Sequence, residues 1–211
     1  MAPAAALRRP DPDLVTRLRE LLGVALAATA AEVPREVTDL VVERARRGDH
    51  RAFTEIVTWY DDRLRALAYR LLRDRDRMDD VLQEAYMKAF RALPGYRGES
   101  SLSTWLFRIT YNACMDDLRR TKPTVPLLLE DGVDTASPAP GPAELAVDRD
   151  TLAGALAALP PDQRAAVLLV DAYGLDYGEA ADVLGVAPGT IGSRLTRARA
   201  ALRRVLNGGD Q

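Results

Sequence analysis

The chain has 211 residues, an apolar fraction of 47% and 29 Lys+Arg against 31 Asp+Glu, a net charge of −2. That balance fits a soluble protein of one or two small domains and excludes collagen-like and wholly disordered classes. It also speaks against a chain that coats nucleic acid unaided, because non-specific affinity comes from neutralising phosphates.

Residues 1–37 read as an extension with one helix, opened by Asp13, with Leu14, Leu18, Leu21, Leu22 and Ala25 at helical spacing. Pro34 stops it. The apolar run from Leu21 to Ala31 is too short to span a bilayer, and Arg17, Arg19 and Glu20 interrupt any export signal. No membrane insertion is expected.

Residues 38–122 follow a helical pattern punctuated at Gly48-Asp49, Arg73 to Asp76 and Pro94-Gly95, which predicts an all-α domain of about four helices. Asp49 reads as a helix N-cap, with His50 solvated in the first turn. Cys114 reads as a buried, inert thiol. Because Cys114 and His50 are each the only residue of their type, no internal disulfide and no four-ligand zinc site of His and Cys can form. No cofactor is expected, and a reducing cytoplasm is the expected location.

Two helix faces in this domain carry chemistry. From Asp79 to Leu93, Val81, Leu82, Ala85, Tyr86, Ala89, Phe90 and Leu93 form the apolar side, while Asp80, Gln83, Glu84, Met87 and Arg91 face outward. Periodicity leaves open whether the outward side is an ordinary solvated face or a protein-docking surface. From Ser101 to Asn112, hydroxyl residues open a helix whose core side is Leu102, Leu106, Ile109 and Ala113. Trp105, Arg108 and Asn112 share a different stripe, joining a stacking plane, a phosphate partner and a bidentate amide. An unstacked base needs that combination; the alternative is a Trp105 that simply belongs to the core.

Residues 123–142 hold five of the 13 prolines and read as a flexible linker. A second helical unit covers 143–206, followed by a tail over 207–211. Within it, Ala180, Val183 and Leu184 form an apolar face, Gly185 breaks the helix, and Ile191, Leu195, Ala198, Leu202 and Val205 recur on the next one. That spacing predicts a helix-turn-helix, whose second helix offers Thr190, Ser193, Arg194 and Arg197 on one stripe and Thr196, Arg199 and Arg203 on a neighbouring one. Hydroxyls and guanidinium groups there suit base edges and phosphates in a major groove.

Split by these pieces, the net charge is 0 over residues 1–38, +3 over 39–122, −6 over 123–162 and +1 over 163–211. Between Thr190 and Leu206 five arginines face no acid. The near-neutral total therefore averages unlike parts, and the free chain is expected to be a poor DNA ligand whose useful affinity appears once a partner holds both domains in place.

Several motifs together resemble a known family. They are Gly48-Asp49-His50-Arg51-Ala52-Phe53, Asp79-Asp80-Val81-Leu82-Gln83-Glu84-Ala85-Tyr86, Tyr96-Arg97-Gly98-Glu99-Ser100, Thr104-Trp105-Leu106-Phe107-Arg108-Ile109 with Asn112, Leu159-Pro160, Gly174-Leu175 and Val186 to Leu195. In order and spacing, over about residues 38 to 206, they resemble the extracytoplasmic-function (ECF, group IV) RNA polymerase sigma factors of bacteria.

The resemblance implies an all-α fold of two helical domains, sigma region 2 and a helix-turn-helix sigma region 4, joined by the Pro-rich linker. It implies a non-enzymatic alternative sigma factor that binds core RNA polymerase through the β′ clamp and β flap, recognises −10 and −35 promoter elements and assists melting. A cognate anti-sigma factor is a further implied partner. By position, Asp80, Gln83, Glu84 and Met87 would dock core polymerase. Ser100, Ser101, Ser103, Trp105, Arg108 and Asn112 would hold the −10 element, and Thr190, Ser193, Arg194, Thr196, Arg197 and Arg199 would read the −35 element. Gly192 stands where family members often carry Lys or Arg, which removes a phosphate contact and about 1 kcal/mol of helix propensity. The rival class is a stand-alone helix-turn-helix transcriptional regulator whose first unit serves dimerisation; the Trp105, Arg108 and Asn112 stripe has no use in it.

Overall fold

The computed structural model describes residues 12–21, 35–121 and 143–208, and every regular element among them is helical. The first unit contains α2 (Arg35–Arg46), α3 (His50–Leu72), α4 (Arg75–Ala92) and α5 (Leu102–Thr121), preceded by the short α1 (Pro12–Leu21). The second contains α6 (Ala143–Ala158), α7 (Pro161–Val167), a π-helical turn over Leu168–Ala172, α8 (Tyr177–Leu184) and α9 (Pro188–Gly208). The linker expected over 123–142 lies outside the described residues.

Polar side chains set the helix boundaries. Asp49 caps α3 by accepting from the backbone N–H of Arg51 at 2.9 Å and of Ala52 at 3.1 Å, two donors that a helix start leaves orphaned. Its hydrogen bond to Arg44, reinforced by those two amides, holds its carboxyl below the ordinary range. Asp74 repeats the device for α4 through the N–H of Arg77. His50 is exposed in the first turn of α3, with its ring stacked on Phe90 at 4.7 Å.

The expected breaks at Gly48-Asp49, Arg73 to Asp76 and Pro94-Gly95 fall at helix ends. Two boundaries and one apolar position differ. Helix α2 begins at Arg35 rather than near 38, because a proline is compatible with the start of the helix that follows it as well as with the end of the one before. Helix α9 runs to Gly208, beyond the expected end at 206. Val205, placed on the apolar seam by its spacing, is 42% exposed.

Helices α2 to α5 pack on one another around Ile56, Leu64, Leu67, Leu82, Leu93 and Leu106, all at or below 1% exposure. Each such side chain contributes about 1.5–3 kcal/mol through burial. Cys114 is fully buried among them, and that burial pushes its thiol up to about 12. The second unit closes around Val167, Leu168, Leu169, Ile191, Leu195 and Leu202. Helix α1 docks on this second unit: Leu14 and Leu18 are buried, the helix packs on α6 and the π-helical turn, and Arg19 Nε donates to the Asp171 carbonyl at 3.3 Å. The positions Leu22 and Ala25 expected in the same helix lie outside the described residues. Among the described residues no helix is long and apolar enough to cross a membrane, and no group of three His, Cys, Asp or Glu could hold a metal.

Candidate nucleic-acid interface

The helix-turn-helix is built by local chemistry. Asp176 and Glu179 form a reciprocal capping box at the start of α8: the Glu179 N–H donates to Asp176 Oδ1 at 2.8 Å and the Asp176 N–H to Glu179 Oε2 at 3.0 Å. Gly185 ends α8 with φ of 64°, a left-handed conformation that glycine adopts without a Cβ penalty. The N–H of Val186 then reaches back to the Ala181 carbonyl at 3.1 Å, closing the turn before α9 starts at Pro188.

Helix α9 buries Ile191, Leu195, Ala198 and Leu202 completely. That leaves Ser193, Thr196 and Arg197 exposed, with Thr190 and Arg194 half-buried beside them. The hydroxyls of Ser193 and Thr196 donate to the carbonyls of Thr190 and Gly192, each at 2.9 Å, so their oxygens remain able to accept from a base edge. Arg194 Nε donates to Asp162 at 3.1 Å.

Arg199 departs from the expectation. It is 5% exposed, and its Nε and Nη2 donate to the two carboxylate oxygens of Asp171 at 3.0 and 2.5 Å. Burial works against its charge, but the hydrogen bond and the charge of Asp171 prevail and raise its pKa. In this arrangement Arg199 is a clamp between α9 and the π-helical turn and offers nothing to a groove. Its position signals this: it lies four residues after Leu195 and eight after Ile191, on the core side of the helix. The acid inside the apolar run Leu168-Leu169-Val170-Asp171-Ala172 is the partner signal.

The first unit carries the other surface. Ser101 caps α5 by accepting from the Thr104 N–H at 3.1 Å and is within 2.9 Å of the Ser103 hydroxyl, while the Tyr96 hydroxyl donates to the Ser100 carbonyl at 2.7 Å and orders the preceding loop. Arg108 and Asn112 are exposed on α5. Trp105 is not on an open stripe with them: it is 8% exposed, its ring 5.3 Å from that of Tyr96. The physical reason is that α5 is packed by α3 and α4 on one side and by α8 on another, so more of its circumference is covered than an apolar stripe on a surface helix implies. Trp105 nevertheless lines a cavity of about 570 Å³ shared with Tyr96, Arg97, Ser100, Arg108 and Asp182. Asn112 is not part of that lining.

On α4, Asp80 and Gln83 are exposed and Met87 is 49% exposed. Glu84 pairs with Lys88 at 2.8 Å and Arg120 at 3.4 Å, and the hydrogen bond from Lys88 leads in lowering its pKa. The unburied Met87 thioether thus shares an outward face with Asp80, Gln83 and the Glu84–Lys88 pair.

A cavity walled by Tyr96 and Trp105 of the first unit and Asp182 of the second, with a helix-turn-helix on the second, fits a class: two-domain promoter-recognition proteins. Comparison with known proteins agrees. The chain matches Sigma-70 region 2 over residues 56–124 and Sigma-70, region 4 over residues 149–202. It is 42% identical over 162 residues to the ECF RNA polymerase sigma factor SigM of Mycobacterium tuberculosis, covering 75% of this chain and 79% of that one. It is 34% identical over 179 residues to the ECF RNA polymerase sigma-E factor of Escherichia coli, covering 79% and 93%. Among solved structures it is similar to the sigma factor RpoE in complex with the anti-sigma factor NepR from Bartonella quintana, with a TM-score of 0.61, 29% identity and coverage of 74% and 96%. It is also similar to CnrH in complex with the cytosolic domain of CnrY, with a TM-score of 0.59, 27% identity and coverage of 82% and 97%. The chain belongs to the ECF RNA polymerase sigma factor family. The stand-alone regulator is not favoured.

Proposed function

We propose that this chain works with core RNA polymerase in the cytoplasm, without an enzymatic activity of its own, and that its named residues divide the labour as follows. Asp80, Gln83, Glu84 and Met87 on α4 dock the β′ clamp, while the second unit meets the β flap. The loop at Ser100, Ser101 and Ser103, with Trp105, Arg108 and Asn112, captures and holds open the −10 element. Thr190, Ser193, Arg194, Thr196 and Arg197 read the −35 element in the major groove, with Arg199 holding α9 in place from behind. The polymerase performs the chemistry.

The observation that carries this division is the cavity at Trp105. Two aromatic residues, Ser100, two exposed arginines and the acids Glu99 and Asp182 line a space of about 570 Å³, and a base flipped from a duplex is recognised by stacking and edge hydrogen bonds in a pocket of aromatic and polar groups. The 20 residues of the linker, extended at roughly 3.3 Å each, reach about 66 Å, against about 34 Å per turn of DNA. Both elements are then within reach at once. An anti-sigma factor that covers the exposed face of α4 would compete with polymerase for it, in line with the similarity to a sigma factor solved with an anti-sigma factor.

In-vitro transcription with purified core polymerase tests the proposal. Co-elution with core enzyme and promoter-directed initiation are expected, both weakened by reversing the charge of Asp80 and Glu84. A chain that neither co-elutes nor directs initiation would overturn it.

A further inference from the structure

Helix α1 precedes the first unit in the chain but packs on the second. It also lies outside both matched regions, which begin at residues 56 and 149. With 10 residues it is too short to hold a helix alone in water, so the surface it packs on supplies its stability. Leu14 and Leu18, one turn apart on the same face, are 3% and 0% exposed. The elements they pack on are α6 and the π-helical turn, whose Leu152, Leu156, Leu168 and Leu169 are buried as well.

Two arginines from opposite ends of the chain meet at one residue of that turn. Arg19 of α1 donates through Nε to the Asp171 carbonyl at 3.3 Å, while Arg199 of α9 holds the Asp171 carboxylate through Nε and Nη2. The Arg19 guanidinium also lies against Gly174, where a Cβ would stand 3.8 Å from Nη2 and where φ of 76° favours glycine in any case. Asp171 is buried, so its pairing with Arg199 is shielded from water. A second route runs beside this one, because α1 packs on α6 and α6 packs on α9. Both routes end on the buried side of the helix whose exposed side carries Ser193, Thr196 and Arg197.

We propose that α1 is a positioning helix for the −35 reader: seated on α6 and the π-helical turn, it fixes Asp171, and Asp171 fixes the seat of α9 through Arg199. This rests on α9 reading the −35 element, as argued above. Short side chains such as Ser193 and Thr196 reach a base edge only if the helix that carries them is correctly placed, and such groups have to be held within about 0.5 Å by packing and outer hydrogen bonds. A long arginine stem that meets a phosphate tolerates a larger shift. Loss of the brace therefore weakens discrimination among −35 sequences more than it weakens attachment to DNA as such. Arg19 acts through Asp171 and Arg199 and needs no contact with DNA.

Transcription in vitro with holoenzyme made from the full chain tests this. The readout is the ratio of initiation on a promoter carrying the −35 sequence that the holoenzyme selects from a randomised library to initiation on one whose −35 sequence is scrambled. Leu18→Asp, which unseats α1, should lower that ratio at least about 5-fold, the low end of energetic coupling between two sites. Arg19→Gln, at a half-buried position, leaves the apolar seat intact and keeps the test open if Leu18→Asp fails to fold; it should lower the ratio about 2-fold, the low end for a residue along a coupling path. Glu20→Gln, exposed on the same helix, should leave it unchanged. Hydrogen exchange on the full chain reports the seat without DNA: Leu18→Asp and Arg19→Gln should speed exchange over residues 168–175 and in α9 and leave α3 and α4 as in the parent. Exchange unmoved by both variants overturns the seat. Faster exchange with an unmoved ratio overturns the positioning, because a helix that merely keeps the second unit folded lowers initiation on both promoters by the same factor. A parent holoenzyme indifferent to the −35 sequence would overturn the assignment of α9 and this role of α1 with it, an outcome that the exchange measurement does not depend on.

Discussion

The two helical units use charge in opposite ways. In the first, the side chains buried as whole polar residues among the described residues are those of Thr104 and Thr110; in the second, Arg164, Asp171 and Arg199 are all buried. The larger unit has enough aliphatic side chains to define its packing. The smaller one fixes how α9 sits against the π-helical turn with a bidentate Arg199–Asp171 pair, whose geometry admits one arrangement. An arginine on the recognition helix is thus not by its nature a DNA contact, and mutagenesis that treats all five alike would confuse lost folding with lost recognition.

Mutations that separate these roles sharpen the contrast. Arg199→Met has the largest expected effect, because it strands the Asp171 carboxylate in the interior: a loss of about 3–5 kcal/mol of stability is expected, measured by urea unfolding. Pairing it with Asp171→Leu should recover most of that loss, and no recovery would mean that the pair is not the clamp it looks to be. Arg197→Ala comes next. It is exposed, so unfolding should be unchanged while −35 affinity of the holoenzyme falls by about 1–3 kcal/mol if its contact is bidentate; equal effects on specific and scrambled −35 sequences would assign it to phosphate instead.

Smaller effects probe the first unit. Asp49→Ala removes the cap of α3 and should lower stability modestly. Because the folded Asp49 carboxyl lies below its ordinary value, its contribution is present above that ordinary value and fades as pH falls through the folded one. A parent-minus-variant stability difference that stays constant into acid would contradict the cap. Asn112→Ala should change stability least, within about 0.5 kcal/mol for an exposed site, yet impair opening of duplex promoters and spare pre-melted ones. Equal loss on both templates would remove Asn112 from strand capture.

Most of the fold was legible in residue order. Asp49 capped a helix, Gly185 turned one into the next, and Ile191, Leu195, Ala198 and Leu202 faced inward as their spacing implied. The outward face of α4 was also legible, since Asp80, Gln83 and Met87 lie opposite a continuous apolar stripe. These features depend on contacts within one turn or one helix, where sequence distance and spatial distance are the same thing.

What neighbours a helix acquires is a different matter. Spacing put Trp105 and Arg199 on outward stripes and was not read for Arg164, yet all three are buried, in surroundings that involve α8, the π-helical turn and the end of α3. Periodicity gives the direction in which a side chain leaves its helix and is silent about whether water or another helix waits there. Residue order thus settled the helices, their caps and the family to which they belong. The packing of α9 on its neighbours settled which arginines remain for DNA, because burial is a property of pairs of elements rather than of either alone.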